Sequence, residues 1–318
     1  QNQPETQDRE GEVMGEITKI QWTDHTFNPW IGCTKVAPEC AHCYAEDLMA
    51  KRWKQVEWGD KGARKKTSTW NDPLKWNREA EKAGERRRVF CASLADVFED
   101  KPYLVEWRRE LFDLIDATPW LDWLLLTKRP ENIRRMWPLS DAGMVAPFPG
   151  MPGPLGQPLP AKRLEKRNNI WLGTSCGHPD SLWRVDQLIG CRELASVLFV
   201  SAEPLLEQIE FHSLRAIDWI IIGGESGPKA RPCNVEWIDS IVQQCQGAGV
   251  RVFVKQMGSH VITRNDQVED VWPNANVECQ ENYQGADCRI RLKDPKGGDP
   301  AEWPEDLRGV REFPEVGR

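Results

Sequence analysis

The sequence lacks the segments that would place a chain in or across a membrane. No apolar run approaches the roughly 18 residues that a membrane helix needs. Residues 1–13, QNQPETQDREGEV, lack the basic and apolar regions of a signal peptide, and we expect this stretch to be disordered or added for expression. These absences predict a cytoplasmic protein without membrane contact.

The sequence also lacks an excess of positive charge. Lys and Arg number 42 against 49 Asp and Glu, which gives a net charge of −7. This balance argues against broad, non-specific attraction to nucleic acid or anionic lipid. Basic residues cluster at 65–70, 84–90, 127–135 and 162–167, so a local basic groove stays open beside the simpler interpretation of solvated helix ends.

A third absence is that of a complete four-ligand zinc pattern among the cysteines. The cytosol is reducing, so the ten cysteines predict free thiols, metal ligands or redox groups rather than disulfides. Cys33, Cys40 and Cys43 lie within the segment FNPWIGCTKVAPECAHCYA, residues 27–45. Their spacing, C-x6-C-x2-C, lacks the second C-x2-C or H-x3-5-H pair of a four-ligand zinc site.

Two metal hypotheses follow from three clustered thiols. A structural zinc needs a distant fourth ligand, for which His42, Cys91 and Cys176 are candidates. A four-iron cluster held by three thiolates leaves one iron free to bind the amine and carboxylate of a small molecule.

Short apolar runs alternate with helix-like segments along the chain. Candidate strands are the segment leading into Cys33, then 87–93, 121–127, 169–175, 196–202, 218–224 and 250–256. Helical patterns occupy 44–53, 103–118 and 234–249, the last ending at Gly247 and Gly249. Near-continuous apolar strands are typical of parallel sheets covered on both faces. We predict an α/β fold, a (β/α) barrel of six to eight parallel strands, complete or partial; a doubly wound open sheet is the alternative.

Two stretches interrupt this alternation. Residues 138–168 begin with a run rich in proline and glycine and are expected to form an inserted loop within a barrel spanning 14–258. Residues 259–318 are expected to form a C-terminal extension that packs on the barrel.

Polar residues follow the predicted strands, where the functional groups of parallel barrels gather. They are Ser93 and Asp96; Thr127, Lys128 and Arg129; Thr174 and Ser175; Ser201 and Glu203; Gly223, Gly224 and Glu225; Lys255 and Gln256. We expect Cys33 to end the first strand, so that the thiols face the same mouth.

The segment NPWIGC…CAHCYA resembles the cluster loop of radical S-adenosylmethionine enzymes, especially the spore photoproduct lyase branch, in which an aromatic residue follows the last cysteine. From Ile17 to Pro314 the sequence further resembles a phage and prophage family of unassigned function. The segments that carry this resemblance are TKIQWTDHTFNPWIGCTKVAPECAHCYAE, ADVFED, PWLDWLLLTKRPENI, FVSAEPLL, WIIIGGESGPKARP, FVKQMG and WPEDLRGVREFP.

The resemblance implies a [4Fe-4S] cluster on Cys33, Cys40 and Cys43, with S-adenosylmethionine as the missing ligand. It implies an external one-electron donor of the flavodoxin or ferredoxin type. The implied cofactor contacts are Ser93, Asp96, Lys128 and Ser175, with Tyr44 as the aromatic residue after the last cysteine. Thr174, at the same predicted strand end as Ser175, is expected to contact the cofactor as well. From their positions after the predicted strands, we expect a catalytic cavity lined by Lys128, Arg129, Glu203, Glu225 and Lys255.

The substrate implied by the resemblance is a nucleic acid or nucleotide, because the lyase branch acts on DNA. Abundant tryptophans and partly basic strand ends agree with that class. Two alternatives stay open. The first is a zinc-containing nuclease or nucleic-acid-binding module with structural cysteines, and the second is a barrel that binds a partner without chemistry.

Overall fold

The computed structural model describes residues 18, 20–138, 164–264, 266, 268–272, 276–279 and 287–315. The strands are β1 (His25–Thr26), β2 (Trp30–Ile31), β3 (Lys65–Lys66), β4 (Arg87–Cys91), β5 (Leu121–Thr127), β6 (Arg167–Ser175), β7 (Ala195–Ala202), β8 (Trp219–Gly223), β9 (Cys233–Asn234), β10 (Arg251–Gln256), β11 (Val261–Arg264), β12 (Asn276–Cys279) and β13 (Asp287–Arg291). The α-helices are α1 (Tyr44–Glu46), α2 (Asp72–Ala83), α3 (Leu104–Asp116), α4 (Ile133–Met136), α5 (Trp183–Ile189), α6 (Val235–Ala248) and α7 (Val268–Val271).

The main sheet contains seven parallel strands in the order β1-β4-β5-β6-β7-β8-β10. This order follows the chain without the reversal that defines a doubly wound sheet, and the sheet curls into a half-barrel. The strands read as apolar runs because both faces are covered; all five residues of β8 are buried. The predicted partial (β/α) barrel is confirmed.

The inner face of the half-barrel is filled by aromatic side chains. Trp219 lies among them, with ring centroids 6.1 Å from Trp171, 6.0 Å from Phe199 and 6.3 Å from Phe253. The outer face packs against the helices, where Trp76 of α2 and Ile238 of α6 join the larger core. The interior at this level is therefore a packed core, and polar chemistry is confined to the ends of the strands.

The C-terminal segment runs along the edge strand β10. Val254 N–H donates to the Val310 carbonyl at 2.8 Å, and Glu312 N–H donates to the Val252 carbonyl at 2.9 Å. Trp219 Nε1 donates to the Glu312 carbonyl at 2.9 Å, which ties this segment to the aromatic interior.

A second sheet has four strands in the order β12-β13-β11-β9. Cys279 and Cys288 lie opposite each other in the antiparallel pair β12 and β13 and form a disulfide. The prediction of free thiols, metal ligands or redox groups rather than disulfides is therefore wrong for this pair. The prediction failed because the cross-strand register places the two thiols opposite each other, and the spacing of the cysteines in the sequence does not reveal that register. The other eight cysteines are free.

Some predicted boundaries differ from the structure. The segment before Cys33 is not one barrel strand: β1 joins the main sheet, whereas β2 pairs antiparallel with β3. Cys33 therefore follows β2 and does not end a barrel strand. Residues 1–13 and 139–163 lie outside the described residues, and β6 already begins at Arg167, inside the predicted insertion. No described helix is both long and apolar enough to span a bilayer.

Candidate functional site

Residues 33–43, here called the thiol loop, connect β2 to α1 and carry three free, partly exposed cysteines. Burial and then Asp96 raise the pKa of the Cys33 thiol to about 12, and Arg129 acts in the opposite direction. Burial also raises the pKa of Cys43. A metal that binds here must displace the protons that this environment favours.

The first anchor of the thiol loop is Arg129, which follows β5. Its Nη1 donates to Cys33 Sγ at 3.7 Å and to Asp96 at 2.8 Å, and its Nη2 donates to the Thr34 carbonyl at 2.8 Å. The guanidinium thus holds both a thiol and the adjacent backbone against the end of the sheet.

A second arginine continues this buried charge network. Arg64 donates to both Glu99 oxygens at 2.7 Å and to Thr34 Oγ1 at 2.8 Å. Glu99 also lies 3.6 Å from Arg129 Nη2. Each buried charge has an opposite charge beside it, which offsets the cost of removing it from water.

The second anchor is Glu39, whose carboxylate is buried under the loop. It accepts the Gly177 N–H at 3.1 Å, just beyond β6, and lies 3.6 Å from Arg184 Nη1. Burial disfavours its charge, but hydrogen bonds and Arg184 outweigh burial and lower the pKa of Glu39. Residue 177 must be glycine, because a Cβ there would lie 1.9 Å from the Pro204 carbonyl oxygen.

The third anchor is Glu225, just beyond β8. Arg231 donates to its two oxygens at 2.6 and 2.9 Å, and His42 Nδ1 lies 3.0 Å from Oε2. Arg231 also donates to the Pro38 carbonyl at 2.9 Å. Burial opposes ionisation, but these hydrogen bonds prevail and lower the pKa of Glu225. The thiol loop therefore spans the carboxyl ends of β5, β6 and β8.

Two further pairs lie at the strand ends. Lys128 Nζ donates to Ser175 Oγ at 3.0 Å, and Lys255 Nζ donates to Glu203 Oε1 at 2.7 Å. Both lysines are only partly buried. The ammonium groups of Lys128 and Lys255 are therefore held in place by a hydrogen bond and still reach solvent.

The remaining predicted cofactor ligands differ in their environments. Ser93 exchanges hydrogen bonds with Asn28 at 3.1 and 3.3 Å, and Tyr44 is 68% exposed next to Cys43. Thr174 is fully buried and donates to the Thr127 carbonyl at 2.9 Å.

Asp96 is saturated by donors from the protein. Thr127 Oγ1 and the Phe98 N–H donate to one oxygen at 2.7 and 3.0 Å. The Lys128 N–H and Arg129 donate to the other oxygen at 3.0 and 2.8 Å. Asp96 therefore holds the end of β5.

Sequence reasoning missed Arg64, Glu99, Glu39 and Arg231 as parts of this region. Glu39 offered one signal, because it lies between two of the clustered cysteines. The other three lie in loops, and nothing in their local pattern indicates which partner they meet.

Among the described residues, no three His, Cys, Asp or Glu side chains are grouped as ligands of one metal ion. Of the candidate fourth zinc ligands, His42 contacts Glu225, and Cys91 and Cys176 are fully buried, whereas the three loop thiols are partly exposed.

Fold and site together define a partial parallel β/α barrel whose mouth is crossed by a loop of three thiols. A model of the family described as "Protein of unknown function (DUF5131)" matches residues 17–289, and the chain belongs to that family. A search among curated proteins finds no match.

Comparison with solved structures finds spore photoproduct lyase. The structure of a cysteine-to-alanine variant of that lyase with a dinucleoside spore photoproduct is 10% identical in sequence to the present chain, with a TM-score of 0.38. The match covers 86% of the present chain and 69% of the lyase chain. A tyrosine-to-phenylalanine variant has the same identity and coverages with a TM-score of 0.36. Similarity this weak assigns no activity.

Proposed function

We propose that this chain is a radical S-adenosylmethionine enzyme in which Cys33, Cys40 and Cys43 hold a [4Fe-4S] cluster. The observation that carries the proposal is the thiol loop, which lies across the carboxyl ends of a curled parallel sheet. Its three thiols are free and partly exposed. The sequence motif NPWIGC…CAHCYA, similar to radical S-adenosylmethionine cluster loops, points the same way.

The donor set fits this group because it stops at three. S-adenosylmethionine would complete the coordination through its amine and carboxylate. When held by Cys33, Cys40 and Cys43, the cluster would supply the one-electron reduction of S-adenosylmethionine on which radical chemistry at a substrate depends. The electron comes from an external donor of the flavodoxin or ferredoxin type.

Some of the chain's own residues would bind the cofactor, and others would bind the substrate. Lys128, oriented by Ser175, offers a cation to a carboxylate, and Ser93 offers a hydroxyl from the end of β4. Tyr44, beside Cys43, is exposed enough to contact the cofactor. Lys255 and Glu203 form an ion pair at the ends of β10 and β7, where they would bind polar groups of the substrate.

We assign Asp96, Thr174 and Glu225 to architecture rather than to ligand binding. The Asp96 carboxylate already accepts four hydrogen bonds. The Thr174 hydroxyl donates its hydrogen bond to the Thr127 carbonyl on the neighbouring strand β5. Glu225 is occupied by Arg231 and His42. These groups keep the strand ends and the thiol loop in place.

The proposed substrate class is a nucleic acid or nucleotide. The resemblance to the DNA-acting lyase branch supports it, together with the accessible cations Lys128 and Lys255. Most tryptophans fill the core, but Trp183 is 47% exposed at the start of α5 and offers a surface on which a base could stack. A net charge of −7 favours a short contact over a long duplex footprint.

The decisive experiment is anaerobic reconstitution with iron and sulfide, followed by metal analysis and incubation with dithionite and S-adenosylmethionine. We expect brown protein with about four irons per chain and formation of 5′-deoxyadenosine. Cys40→Ala should lose most of the iron and all of the product. Cys245→Ala, which removes a buried thiol in α6, is the matched control and should keep both.

Colourless protein that binds one zinc would overturn the proposal in favour of a structural metal site. Equal 5′-deoxyadenosine from wild type and Cys40→Ala would count equally against it.

A further inference from the structure

Neighbouring residues Lys128 and Arg129 point to different partners at the end of β5. Lys128 reaches Ser175, whereas Arg129 turns towards Cys33 and places Nη1 3.7 Å from Sγ. The Arg129 side chain is only 8% exposed, and its other donors reach Asp96 and the Thr34 carbonyl. Arg129 is therefore not free to meet a substrate.

The position of Arg129 is fixed from two sides by carboxylates. Asp96 accepts from Nη1 at 2.8 Å, and Glu99 lies 3.6 Å from Nη2. Glu99 is in turn held by Arg64 at 2.7 Å. A planar guanidinium can meet several acceptors at once, which a lysine ammonium on a flexible stem does poorly.

We infer that Arg129 is a positioning residue that acts through Cys33. It orients the Cys33 sulfur and stabilises the reduced state of the proposed iron-sulfur cluster that Cys33 would bind. The inference rests on the proposed function. It also reassigns Arg129, which its position after a predicted strand had placed in the catalytic cavity.

The physical reason is the charge next to the ligand atom. Hydrogen bonds to ligating sulfurs, local charge and solvent exposure set the reduction potential of an iron-sulfur cluster. Reduction adds a negative charge, and a buried cation in contact with a ligating sulfur favours that state, because screening by water is weak there. Removal of the Arg129 charge should therefore make the cluster harder to reduce.

The test is a redox titration of reconstituted protein, followed by electron paramagnetic resonance, in wild type, Arg129→Lys and Arg129→Gln. We expect the midpoint potential to become more negative in Arg129→Gln, with a smaller shift in Arg129→Lys. Arg64→Gln is the matched control, because it removes the same charge from the same buried network without a hydrogen bond to the sulfur. Its shift should be smaller than that of Arg129→Gln.

Equal potentials in wild type and Arg129→Gln, or equal shifts in Arg129→Gln and Arg64→Gln, would overturn the inference while leaving the proposed function intact. Failure of wild type to take up iron would instead overturn the proposed function. If Arg129→Gln does not fold, Arg129→Lys decides: it keeps the charge beside Asp96, and an unchanged potential there would contradict a role for the guanidinium contact.

Discussion

Glu39 is a charged residue inside the thiol loop, and its carboxylate points into the protein instead of towards solvent. It is 4% exposed and reaches the Gly177 N–H and Arg184. A buried carboxylate is tolerated only with such partners, so its role is to fasten the loop to the end of β6.

We predict that Glu39→Gln lowers the free energy of unfolding of the metal-free protein by about 1–3 kcal/mol. The amide oxygen can still accept from Gly177, but Arg184 loses the carboxylate beside it. Urea unfolding measures the change. Asp47→Asn, at an exposed position paired with Lys51, is the control and should unfold like wild type.

The prediction would be wrong if Glu39→Gln and Asp47→Asn unfolded at the same urea concentration. That result would mean that the loop is not fastened to β6 through this carboxylate.

At the scale of elements, register brings the polar strand ends together. Thr127 is in register with Thr174, and Ser175 is in register with Ser201. Parallel strands of one sheet end at one edge, so polar residues distant in sequence become neighbours there. The loops that follow β5, β6 and β8 then supply Arg129, Gly177 and Glu225, each of which contacts the thiol loop.

Helix α6 offers a test of element boundaries through two glycines. Gly249 adopts φ +71° as the C-cap, whereas Gly247 lies inside the helix, and a Cβ at either position would meet no atom within 4 Å. We predict that Gly249→Ala costs about 1 kcal/mol of stability, because alanine resists the left-handed conformation.

Gly247→Ala is the matched control and should stabilise the protein by about 0.5–1 kcal/mol, because alanine is the better helix former. Thermal and urea unfolding of both variants measure these changes. Equal effects of the same sign would show that the helix does not end at Gly249.

At the scale of the whole molecule, the half-barrel is completed by segments from both ends of the described chain. Trp22 and Phe313 pack with the aromatic interior, and the Phe313 ring lies 5.5 Å from that of Trp219. The segment around Phe313 also hydrogen-bonds along β10. The β10 edge of the sheet is thereby covered, which limits pairing with other chains at that edge.

We predict that Phe313→Ala destabilises the protein by about 2 kcal/mol, less than a fully buried phenylalanine because the ring is only partly buried. Val105→Ala, at a position 54% exposed on α3, is the control and should change stability little. Tryptophan fluorescence during urea unfolding reports both. An unchanged midpoint for Phe313→Ala would show that the C-terminal segment does not support the interior.

Most of the fold was predictable because its signals are local. Six barrel strands, β4 to β8 and β10, match apolar runs of the sequence, and α3 and α6 match their helical periodicities. The first strand was predicted wrongly because the short segments His25–Thr26 and Trp30–Ile31 are joined by residues that turn the chain into a second, antiparallel pairing. Periodicity over two residues carries too little information to distinguish these cases.

By itself, the sequence determined the alternation of strands and helices, the polar residues at the strand ends and the three clustered thiols. Only the tertiary structure decided what meets the thiol loop, because Glu39 finds Gly177 across 138 positions and His42 finds Glu225 across 183. Such polar contacts depend on how far the sheet curls and on which loops then converge. No local pattern of residues encodes that geometry.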